Sequence, residues 1–483
     1  MSSPTPPLQP IRPAYRLQIL TEGQLAQLRA GTLQILERVG VHCPSARARA
    51  IYRDHGAAID AESEIVRLPP SLVLEAMSHA PRHYTLAARD PDCDAHLDGT
   101  AMYVATDGCG VETIDFETRA RRPSCKADIA RMARVADALS SVGFYWPIVS
   151  AQDHPKTSPL HELEASFQHT VKHVQTETVM EECMARYAVE MAAVVADGTA
   201  PLRRRPVLSS LVCTIAPLAQ DAGGMESALV FAEAGLPVGF MSMANAGSTG
   251  PGTVAGTLVA ADAEIVAAMV LIQLAHPGAP VYHSMMPGIM HPRTGAYLGT
   301  AYEGDLLYPL GVELAHHWGV PTLAGCFGTD ALVPGWQAAA ETPASLMLCA
   351  LCGAETGSGM GLLESCTLLY PEELILDTEM YHRVRVLAEG IDLTPEALAL
   401  DVIADVGPRG VFLRHKRTRQ SLRQLRFSEL TSRPAVGGGY QDPLDVARER
   451  VEWILENHHP APLREDQQRE LTRILHAAEQ ELG

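Results

Sequence analysis

The sequence predicts an α/β protein built on a (β/α)8 barrel, with an α/β extension before the barrel and helices after it. Short apolar runs alternate with helical stretches through the middle of the chain. The turn before several of these runs repeats the pattern Gly-x-Pro, and the closing residues change to charged, amphipathic helices. Runs that are apolar on both faces are typical of a parallel sheet covered by helices.

The residues before the barrel divide into an arm and an extension. Residues 1–20 are polar and rich in proline, so we expect a flexible arm. Residues 21–135 form the predicted mixed α/β extension. Its helices are predicted over residues 21–41, 45–55 and 70–78, and its strands over residues 84–87, 101–106 and 110–115. Thr21 and Ser45 are suited to cap the first two helices, and a proline begins the third.

The barrel core is predicted over residues 136–375. Its apolar runs are residues 144–149, 173–178, 207–214, 238–243, 281–286, 322–327 and a weaker 358–363. In the Gly-x-Pro turns, glycine ends one helix, and proline marks where the next strand begins because it is tolerated only at the start of a strand. Seven visible units with an irregular eighth favour a closed barrel. An open, doubly wound sheet stays the alternative, because periodicity does not show closure. Residues 376–483 are predicted to be helices packed on the outside of the barrel.

Composition limits the partners. The 38 basic and 57 acidic residues give a formal charge of −19, which disfavours nucleic acid and anionic membranes and favours a cationic substrate or a basic protein. The sequence has neither an uninterrupted apolar stretch of about 18 residues nor an apolar signal-peptide core near its start. We therefore expect a cytoplasmic protein, in which the ten scattered cysteines are reduced thiols.

Several stretches, in order from about Leu20 to Leu482, resemble the trimethylamine methyltransferase family. They include LTEGQLAQLRAGTLQILERVGVHC, APRHYTLAARDP, TVKH, SMANAGSTGPGTVAGTLV, HPRTGAYLGTAYEGDL, GVPTLAGCFGTDALVPGWQAAAE and LALDVIADVGPRGVFL. The ordered set is more specific than any one piece. The resemblance implies a (β/α)8 barrel whose C-terminal face receives both a methylamine and a separate corrinoid protein.

This resemblance also suggests a substrate class. The chain lacks pyrrolysine, and family members without that residue include enzymes that demethylate quaternary amines such as glycine betaine. A quaternary ammonium departs as a neutral amine without prior activation. We therefore expect methyl transfer from a betaine-like amine to a cobalamin-type corrinoid carried by a partner protein. We also expect the chain to form a homo-oligomer.

The sequence departs from the family pattern at three positions, and two further interpretations stay open. Leu332 stands where lysine is common, Gly335 where aspartate is common, and Arg417 where histidine is expected. One alternative is a catalytically inactive, methylamine-binding homologue, and the other is a zinc-dependent thiol methyltransferase on a similar barrel. Cys349 and Cys352 share a predicted helix face, but their small, apolar neighbours favour buried packing thiols, so no tightly bound metal is expected.

Aromatic and acidic residues are the candidates for holding a trimethylammonium group, which cannot donate a hydrogen bond. The substrate-binding aromatics predicted from strands and their loops are Tyr145, Trp146, Tyr282 and Trp336, with Tyr103 and Tyr302 second. The predicted catalytic carboxylates are Glu303 and Asp330. Ordinary core packing of the aromatics, and charges at helix N-termini, are the alternatives for these residues.

Polar candidates complete the predicted site. The residues predicted to contact a substrate carboxylate or a corrinoid side chain are Lys172, His173, His283 and Gln337. In the small-residue loop AGSTGP, Gly247, Ser248, Thr249 and Gly250 are predicted to give a large flat corrinoid close access to the backbone. A histidine satisfied inside the core, and a plain tight turn, are the alternatives.

Overall fold

A barrel of eight parallel strands forms the centre of the computed structural model, which describes residues 4–482 except Cys109, Glu429 and residues 432–440. In chain order the strands are β1 (Tyr103–Thr106), β2 (Val142–Phe144), β3 (Val174–Thr176), β4 (Leu208–Cys213), β5 (Val238–Ser242), β6 (Val281–Met285), β7 (Thr322–Gly325) and β8 (Thr356–Met360). Each strand pairs in parallel with its neighbour in the chain, and β8 pairs with β1.

The barrel closes between β2 and β3. The amide of Tyr145 donates to the carbonyl of His173 at 2.8 Å, and the amide of Gln175 donates to the carbonyl of Tyr145 at 2.9 Å. These bonds complete the ring of parallel pairs, so the predicted (β/α)8 barrel is confirmed and the open-sheet alternative is wrong.

One helix follows each strand and covers the barrel. These helices are α1 (Lys126–Asp137), α2 (Ser158–His169), α3 (Glu182–Val195), α4 (Ala222–Ala234), α5 (Val254–Ala275), α6 (Gly304–Trp318), α7 (Trp336–Cys352) and α8 (Glu373–Glu389). Gly235 and Gly319 end α4 and α6 in the left-handed conformation, with φ of +81° and +80°. Both glycines belong to Gly-x-Pro turns, where the sequence predicts that a helix ends.

Helix α5 is a buried core helix. Among the described residues, it is the one helix long and apolar enough to cross a membrane, and 78% of its most apolar stretch is buried inside the protein. It packs against the helices Glu22–Arg38, Ala46–Asp54 and Pro70–Ser78 of the N-terminal extension. Burial on all sides explains why this helix is apolar all round.

The irregular eighth unit is the first strand, β1. It lies within the residues that the sequence assigns to the extension, before the predicted start of the barrel at residue 136. It is separated from α1 by the hairpin strands Glu112–Ile114 and Arg121–Pro123. This insertion hides the strand-to-helix rhythm from the sequence pattern.

The N-terminal arm lies bound on the barrel. Ile11 is fully buried and pairs with Met102 through two backbone hydrogen bonds of 3.0 and 2.8 Å. The amide of Ala14 donates to the carbonyl of Ala388 at the end of α8. The described arm residues therefore differ from the predicted flexible arm, because their backbone groups are paired at the N-terminal end of the barrel.

The extension contains two small antiparallel sheets. The first joins Val41–His42, Ile65–Arg67 and Ala58–Asp60, and the second joins Tyr84–Leu86 and Ala95–Leu97. The extension also contains the short helical segment Pro91–Cys93. A second short helix, Thr199–Arg204, lies outside the extension and follows α3. Together with its three helices, these sheets give the extension the mixed α/β character that the sequence predicts.

Short strands at the C-terminal ends of the barrel strands form the rim of an opening that we call the barrel mouth. One rim sheet joins Glu112–Ile114 and Arg121–Pro123 with Leu362–Leu363 and Leu368–Leu369, and the other joins Asn245–Ala246, Gly288–Met290 and Tyr297–Leu298. After α8, the chain forms the helical segments Pro395–Leu398, Leu400–Val406, Phe412–Arg414, Lys416–Leu422, Pro443–Asn457 and Glu465–Leu482.

Candidate active site

A buried carboxylate, Asp107, lies at the barrel mouth directly after β1. Its side chain is 1% exposed, Oδ1 accepts from the amide of Gly108 at 2.9 Å, and Oδ2 has no hydrogen-bond partner among the described residues. Burial raises the pKa of Asp107, while the Cys366 thiol and the Gly108 amide partly offset this rise. An acceptor atom buried without a partner is costly and indicates a place for a ligand.

The indole ring of Trp146 covers the backbone beside this carboxylate. A Cβ atom added to Gly108 would lie 1.7 Å from the indole Nε1, so the ring occupies space that only glycine leaves free. The Thr106 hydroxyl donates to the Trp146 carbonyl at 2.6 Å and accepts from the Trp146 amide at 2.9 Å. The aromatic residue predicted from the sequence is thus held next to Asp107.

A strained turn brings Cys366 to the same place. Glu364, Ser365 and Cys366 have φ values of +52°, +51° and +74°, which are unfavourable for residues with a Cβ. The amides of Glu364 and Ser365 donate to the carbonyls of Ala331 and Thr329, both at 2.9 Å, and hold the turn. Burial, followed by the charge of Asp107, raises the pKa of the Cys366 thiol well above its usual value.

Asp330, a predicted catalytic carboxylate, ties three mouth loops together. Its Oδ2 accepts from the amide and hydroxyl of Thr300 at 3.2 and 2.5 Å, and its Oδ1 accepts from the Ser365 hydroxyl at 2.5 Å. These partners follow β6 and β8, whereas Asp330 follows β7. Both oxygens of Asp330 are occupied, so the carboxylate fixes the loops and adds negative charge beside Cys366.

Further acidic and aromatic groups complete the mouth. The Cys213 thiol, at the end of β4, donates to Glu177 Oε1 at 2.9 Å. Tyr297 donates its hydroxyl to the Met286 carbonyl at 2.8 Å, and burial raises its pKa, with the charges of Cys366 and Asp330 adding to the effect. Among the described residues, no lysine or arginine pairs with Asp107 or Asp330, so the mouth is electronegative.

A second group of buried acids lies behind the mouth, at the start of α8. Asp377 Oδ2 accepts a hydrogen bond at 2.7 Å from the amide of Gly361, the residue directly after β8. Burial raises the pKa of Glu373 to about 8, and Glu372 adds to this rise; burial and Glu373 raise that of Asp377. Glu372 pairs with Arg119 at 2.6 Å, whereas Glu373 and Asp377 form no ion pair within the part of the chain that the structure describes.

Two predicted aromatics, Tyr282 and Tyr103, are buried in the barrel strands below the mouth. Tyr282 donates its hydroxyl to Gln175 Oε1 at 2.9 Å and contacts the backbone of Gly239, where an added Cβ would lie 2.0 Å from the ring. Tyr103 of β1 is buried and packs against Gly143. Gln175 Nε2 has no hydrogen-bond partner among the described residues, so a polar floor lies beneath the mouth.

Lys172 and His173 lie at the opposite end of the barrel, because both precede β3. The Lys172 ammonium donates to the carbonyls of Ala136, Leu139 and Val142 at 2.6–2.8 Å, and burial lowers its pKa to about 8. His173 contacts backbone carbonyls through Nδ1 and the Ser209 hydroxyl through Nε2; burial lowers its pKa to about 4. These contacts make them packing residues, in contrast to the predicted substrate contacts.

Tyr145 and His283 point away from the barrel interior. The Tyr145 hydroxyl donates to the carbonyl of Ile129 in α1, at 3.2 Å. His283 Nε2 lies 2.9 Å from Asp262 Oδ1 in α5, and Asp262 also accepts from the indole of Trp318. Both predicted substrate contacts therefore belong to the layer between the strands and helices.

The other predicted contacts lie on the rim. Tyr302 is 93% exposed, Trp336 is 86% exposed, and Glu303 is also exposed where it precedes α6. Gln337 donates to Glu341 Oε1 at 2.9 Å. We use the name rim patch for the exposed apolar residues in the loops after β6 and β7 and in the first turns of the helices that follow them: Tyr302, Leu306, Leu332, Val333 and Trp336.

The small-residue loop after β5 is a closed turn. The amides of Ser248 and Gly250 both donate to the Asn245 carbonyl at 3.0 Å, and the amide of Gly247 donates to the Gly250 carbonyl at 3.0 Å. The Thr249 hydroxyl accepts from the amide of Asn245 at 2.9 Å. The amides of Gly247, Ser248 and Gly250, three of the four residues predicted to bind the corrinoid, therefore donate within the loop. A ligand could contact the surface of this loop but would find few free hydrogen-bond donors there.

Potential metal-ligating side chains gather in one place among the described residues: His154 in the loop after β2, His161 in α2, and Glu479 in the helix Glu465–Leu482. The rings of His154 and His161 stack at 3.6 Å, and Lys126 Nζ lies 3.0 Å from His161 Nδ1. The ammonium already fills one of the directions a ligand set would use. Cys349 and Cys352 are buried in α7, and burial raises the pKa of both thiols, to about 12 for Cys352.

Four residues of the mouth are not among the site residues predicted from the sequence: Asp107, Cys366, Glu177 and Tyr297. A signal for Asp107 exists in the sequence, since it directly follows the predicted strand over residues 101–106. Because that strand falls within the predicted extension, the loop after it is not expected at the mouth of the barrel. Cys366 depends on the strained turn after β8, for which no glycine or asparagine gives a signal.

Comparisons with known proteins agree over nearly the whole chain. The trimethylamine methyltransferase (MTTB) family matches residues 3–483. The trimethylamine methyltransferase MttB of Desulfitobacterium hafniense is 32% identical over 474 residues, covering 97% of this chain and 95% of that protein. MttB of Methanosarcina barkeri is 28% identical, covering 96% and 95%. A glycine betaine methyltransferase of Desulfitobacterium hafniense is 29% identical, covering 93% and 94%.

Proposed function

Because the chain belongs to the trimethylamine methyltransferase family, we propose that it removes a methyl group from a quaternary, betaine-like amine. In this proposal the acceptor is the cobalt of a corrinoid bound to a separate protein. The similar proteins are, by name, trimethylamine and glycine betaine methyltransferases, which supports a methylated amine as the substrate class.

The observation that carries the proposal is the buried carboxylate of Asp107 at the barrel mouth, one oxygen of which has no partner among the residues that the structure describes. No cation pairs with this carboxylate among the described residues, and burial raises its pKa, because a buried charge is stable only when it is paired. A quaternary ammonium supplies the missing positive charge. The C-terminal end of a (β/α)8 barrel is also where such proteins bind their substrates.

The neighbours of Asp107 suit a trimethylammonium group. Its methyl groups carry the positive charge and cannot donate hydrogen bonds, so aromatic faces and nearby carboxylates are the available contacts. Trp146 provides the aromatic face, and Glu177 and Asp330 add negative charge farther out. The carboxylate of a betaine would be repelled by Asp107, which favours a bound orientation with this end toward the opening.

In the proposed reaction, the C–N bond of the substrate breaks and its electron pair stays on nitrogen, which becomes a neutral tertiary amine. A reduced corrinoid on the partner protein would supply the electron pair that forms the new bond to the methyl carbon. Trp146 and Asp107 orient the methyl group in line with the mouth and replace water around the cation. The substrate charge disappears as the amine leaves, so moderate ground-state affinity favours turnover.

The rim patch gives the corrinoid protein a docking surface. Tyr302 and Trp336 are almost fully exposed, and exposed aromatic residues often anchor protein interfaces. Leu332 is exposed in the same patch, so its difference from the common lysine changes the surface and leaves Asp107 and Trp146 intact. This supports an active enzyme over the catalytically inactive alternative.

The experiment that tests the function is a methyl-transfer assay. The protein is mixed with reduced cobalamin, free or on a candidate corrinoid protein, and with a panel of methylated amines, while the cobalt spectrum is followed. We expect methylcobalamin to form with one quaternary amine and not with tertiary amines. A folded protein that transfers methyl groups from none of the amines would contradict the proposal.

The binding mode has a separate test at Cys366. A methanethiosulfonate that carries a trimethylammonium group should label this thiol at least tenfold faster than a neutral methanethiosulfonate of similar size, because the mouth attracts the cation. Glycine betaine should slow the labelling, which peptide mass spectrometry would locate, and Cys366→Ser is the control. Equal labelling rates without protection would place the cation site elsewhere.

A further inference from the structure

Residues 391–427, which we call the basal arm, project from the protein with almost no buried surface. Among the residues described there, Val402 is the one that is buried. Of the 26 large apolar side chains that are exposed in the described part of the chain, eleven lie in this arm: Ile391, Leu393, Leu398, Leu400, Ile403, Val411, Phe412, Leu413, Leu422, Leu425 and Phe427. An apolar surface this concentrated marks an interaction site.

The helices of the arm are too short to be stable by themselves. Pro395–Leu398, Leu400–Val406 and Lys416–Leu422 have four, seven and seven residues, whereas isolated helices shorter than about 12–15 residues are marginal in water. Arg417 pairs with Asp401 at 2.6 Å and joins the two halves of the arm, but both groups are partly exposed. Burial against another surface is therefore needed to stabilise this arrangement.

Both ends of the arm lie at the end of the barrel opposite to the mouth. The arm begins after Glu389, where α8 ends and the Ala388 carbonyl accepts from the amide of Ala14. It returns to the same point, since Arg426 donates to Glu389 Oε2 at 2.9 Å. A corrinoid protein must reach the mouth, at the other end of the barrel. The molecule that covers the basal arm therefore differs from the corrinoid protein.

Charge indicates what the occupant is. Seven of the 38 basic residues of the chain, and none of its 57 acidic residues, lie within residues 407–427: Arg409, Arg414, Lys416, Arg417, Arg419, Arg423 and Arg426. The arm before them, residues 391–406, has four acidic and no basic residues. A basic segment on a chain of net charge −19 is complementary to a second copy of that chain, and its acidic half is complementary to the same basic segment of the copy.

We propose that the basal arm is a self-association element that packs its apolar residues against a second copy of this chain. The exposed leucines and phenylalanines supply the buried core of the interface, and the basic segment selects an acidic surface of the copy. This inference is independent of the proposed methyl transfer, because the arm and the mouth lie at opposite ends of the barrel.

Sedimentation and light scattering of the full chain test this proposal. We expect the wild-type protein to have at least twice the 52.0 kDa mass of one chain. Leu413→Asp with Leu425→Asp should give a 52 kDa species, or weaken association at least tenfold, with an unchanged circular dichroism spectrum. Leu74→Asp, at an exposed apolar position outside the arm, should keep the wild-type mass.

A charge variant gives the second measurement. Arg419→Glu with Arg423→Glu should also weaken association, and added salt should weaken the wild-type assembly. A monomeric wild-type protein, or an oligomer that the arm variants leave intact, would overturn the proposal. Arm variants that keep their mass but lose binding of a corrinoid protein would also overturn it, because the arm would then serve a different partner.

Discussion

At the residue scale, Asp107 decides whether the mouth binds a cation. Asp107→Asn removes the charge but keeps the shape, so we expect about 10- to 100-fold weaker binding of the quaternary amine, since a hydrogen bond or contact to a charged group contributes about 1.5–3 kcal/mol. Calorimetry with the amine that supports methyl transfer measures this change. Glu355→Gln, which alters a buried carboxylate at the other end of the barrel, should leave the affinity within about twofold.

Lys172 gives a prediction about stability at the same scale. Lys172→Met leaves three buried carbonyl oxygens without their donor, so we expect the free energy of unfolding to fall by about 3 kcal/mol. Urea unfolding measures the change, and the exposed Lys156→Met should change it by less than about 0.5 kcal/mol. An unstable variant that still binds the amine would agree with a packing role; unaltered stability with lost binding would return Lys172 to the site.

At the scale of elements, the acids at the start of α8 make stability depend on pH. The pKa of Glu373 is raised to about 8, whereas an unfolded glutamate titrates near about 4.3, so the folded protein holds the proton more tightly. The stabilisation is complete below the unfolded pKa and is lost as the pH rises toward 8. We expect the melting temperature to fall between pH 5 and 9, and Glu373→Gln to flatten this fall. An equally steep profile in the variant would assign the effect to other groups.

The same elements show how far sequence reasoning reaches. Strands β2 to β8 and the helices between them follow from apolar runs and helix-ending glycines, because those signals are local. The sequence does not show whether Tyr145 and His283 point into or out of the barrel. Barrel strands are buried on both faces, so apolar and polar residues do not alternate along them. Asp330 and Trp146 were predicted for the mouth, and both lie there. Asp107 was missed because the insertion after β1 hides the first unit of the barrel.

At the scale of the whole molecule, the two ends of the barrel have separate tasks. The mouth carries Asp107, its acidic neighbours and the rim patch, while the other end carries the basal arm. Trp336→Ala should therefore raise the KM for the corrinoid protein about tenfold, a typical effect of truncating an exposed aromatic anchor, and leave the amine affinity unchanged. Steady-state kinetics with varied corrinoid protein measures this separation. If the variant also binds the amine more weakly, the Trp336 indole would be in contact with the substrate at the mouth.

The pairing of Ile11 with Met102 fixes the amino-terminal segment to the barrel end that faces away from the mouth. A biotin or an affinity tag joined to this segment would orient the protein on a sensor chip with its opening toward the flowing solution. Immobilisation through the amino terminus should accordingly preserve capture of a corrinoid protein, and random coupling through surface amines would give mixed orientations.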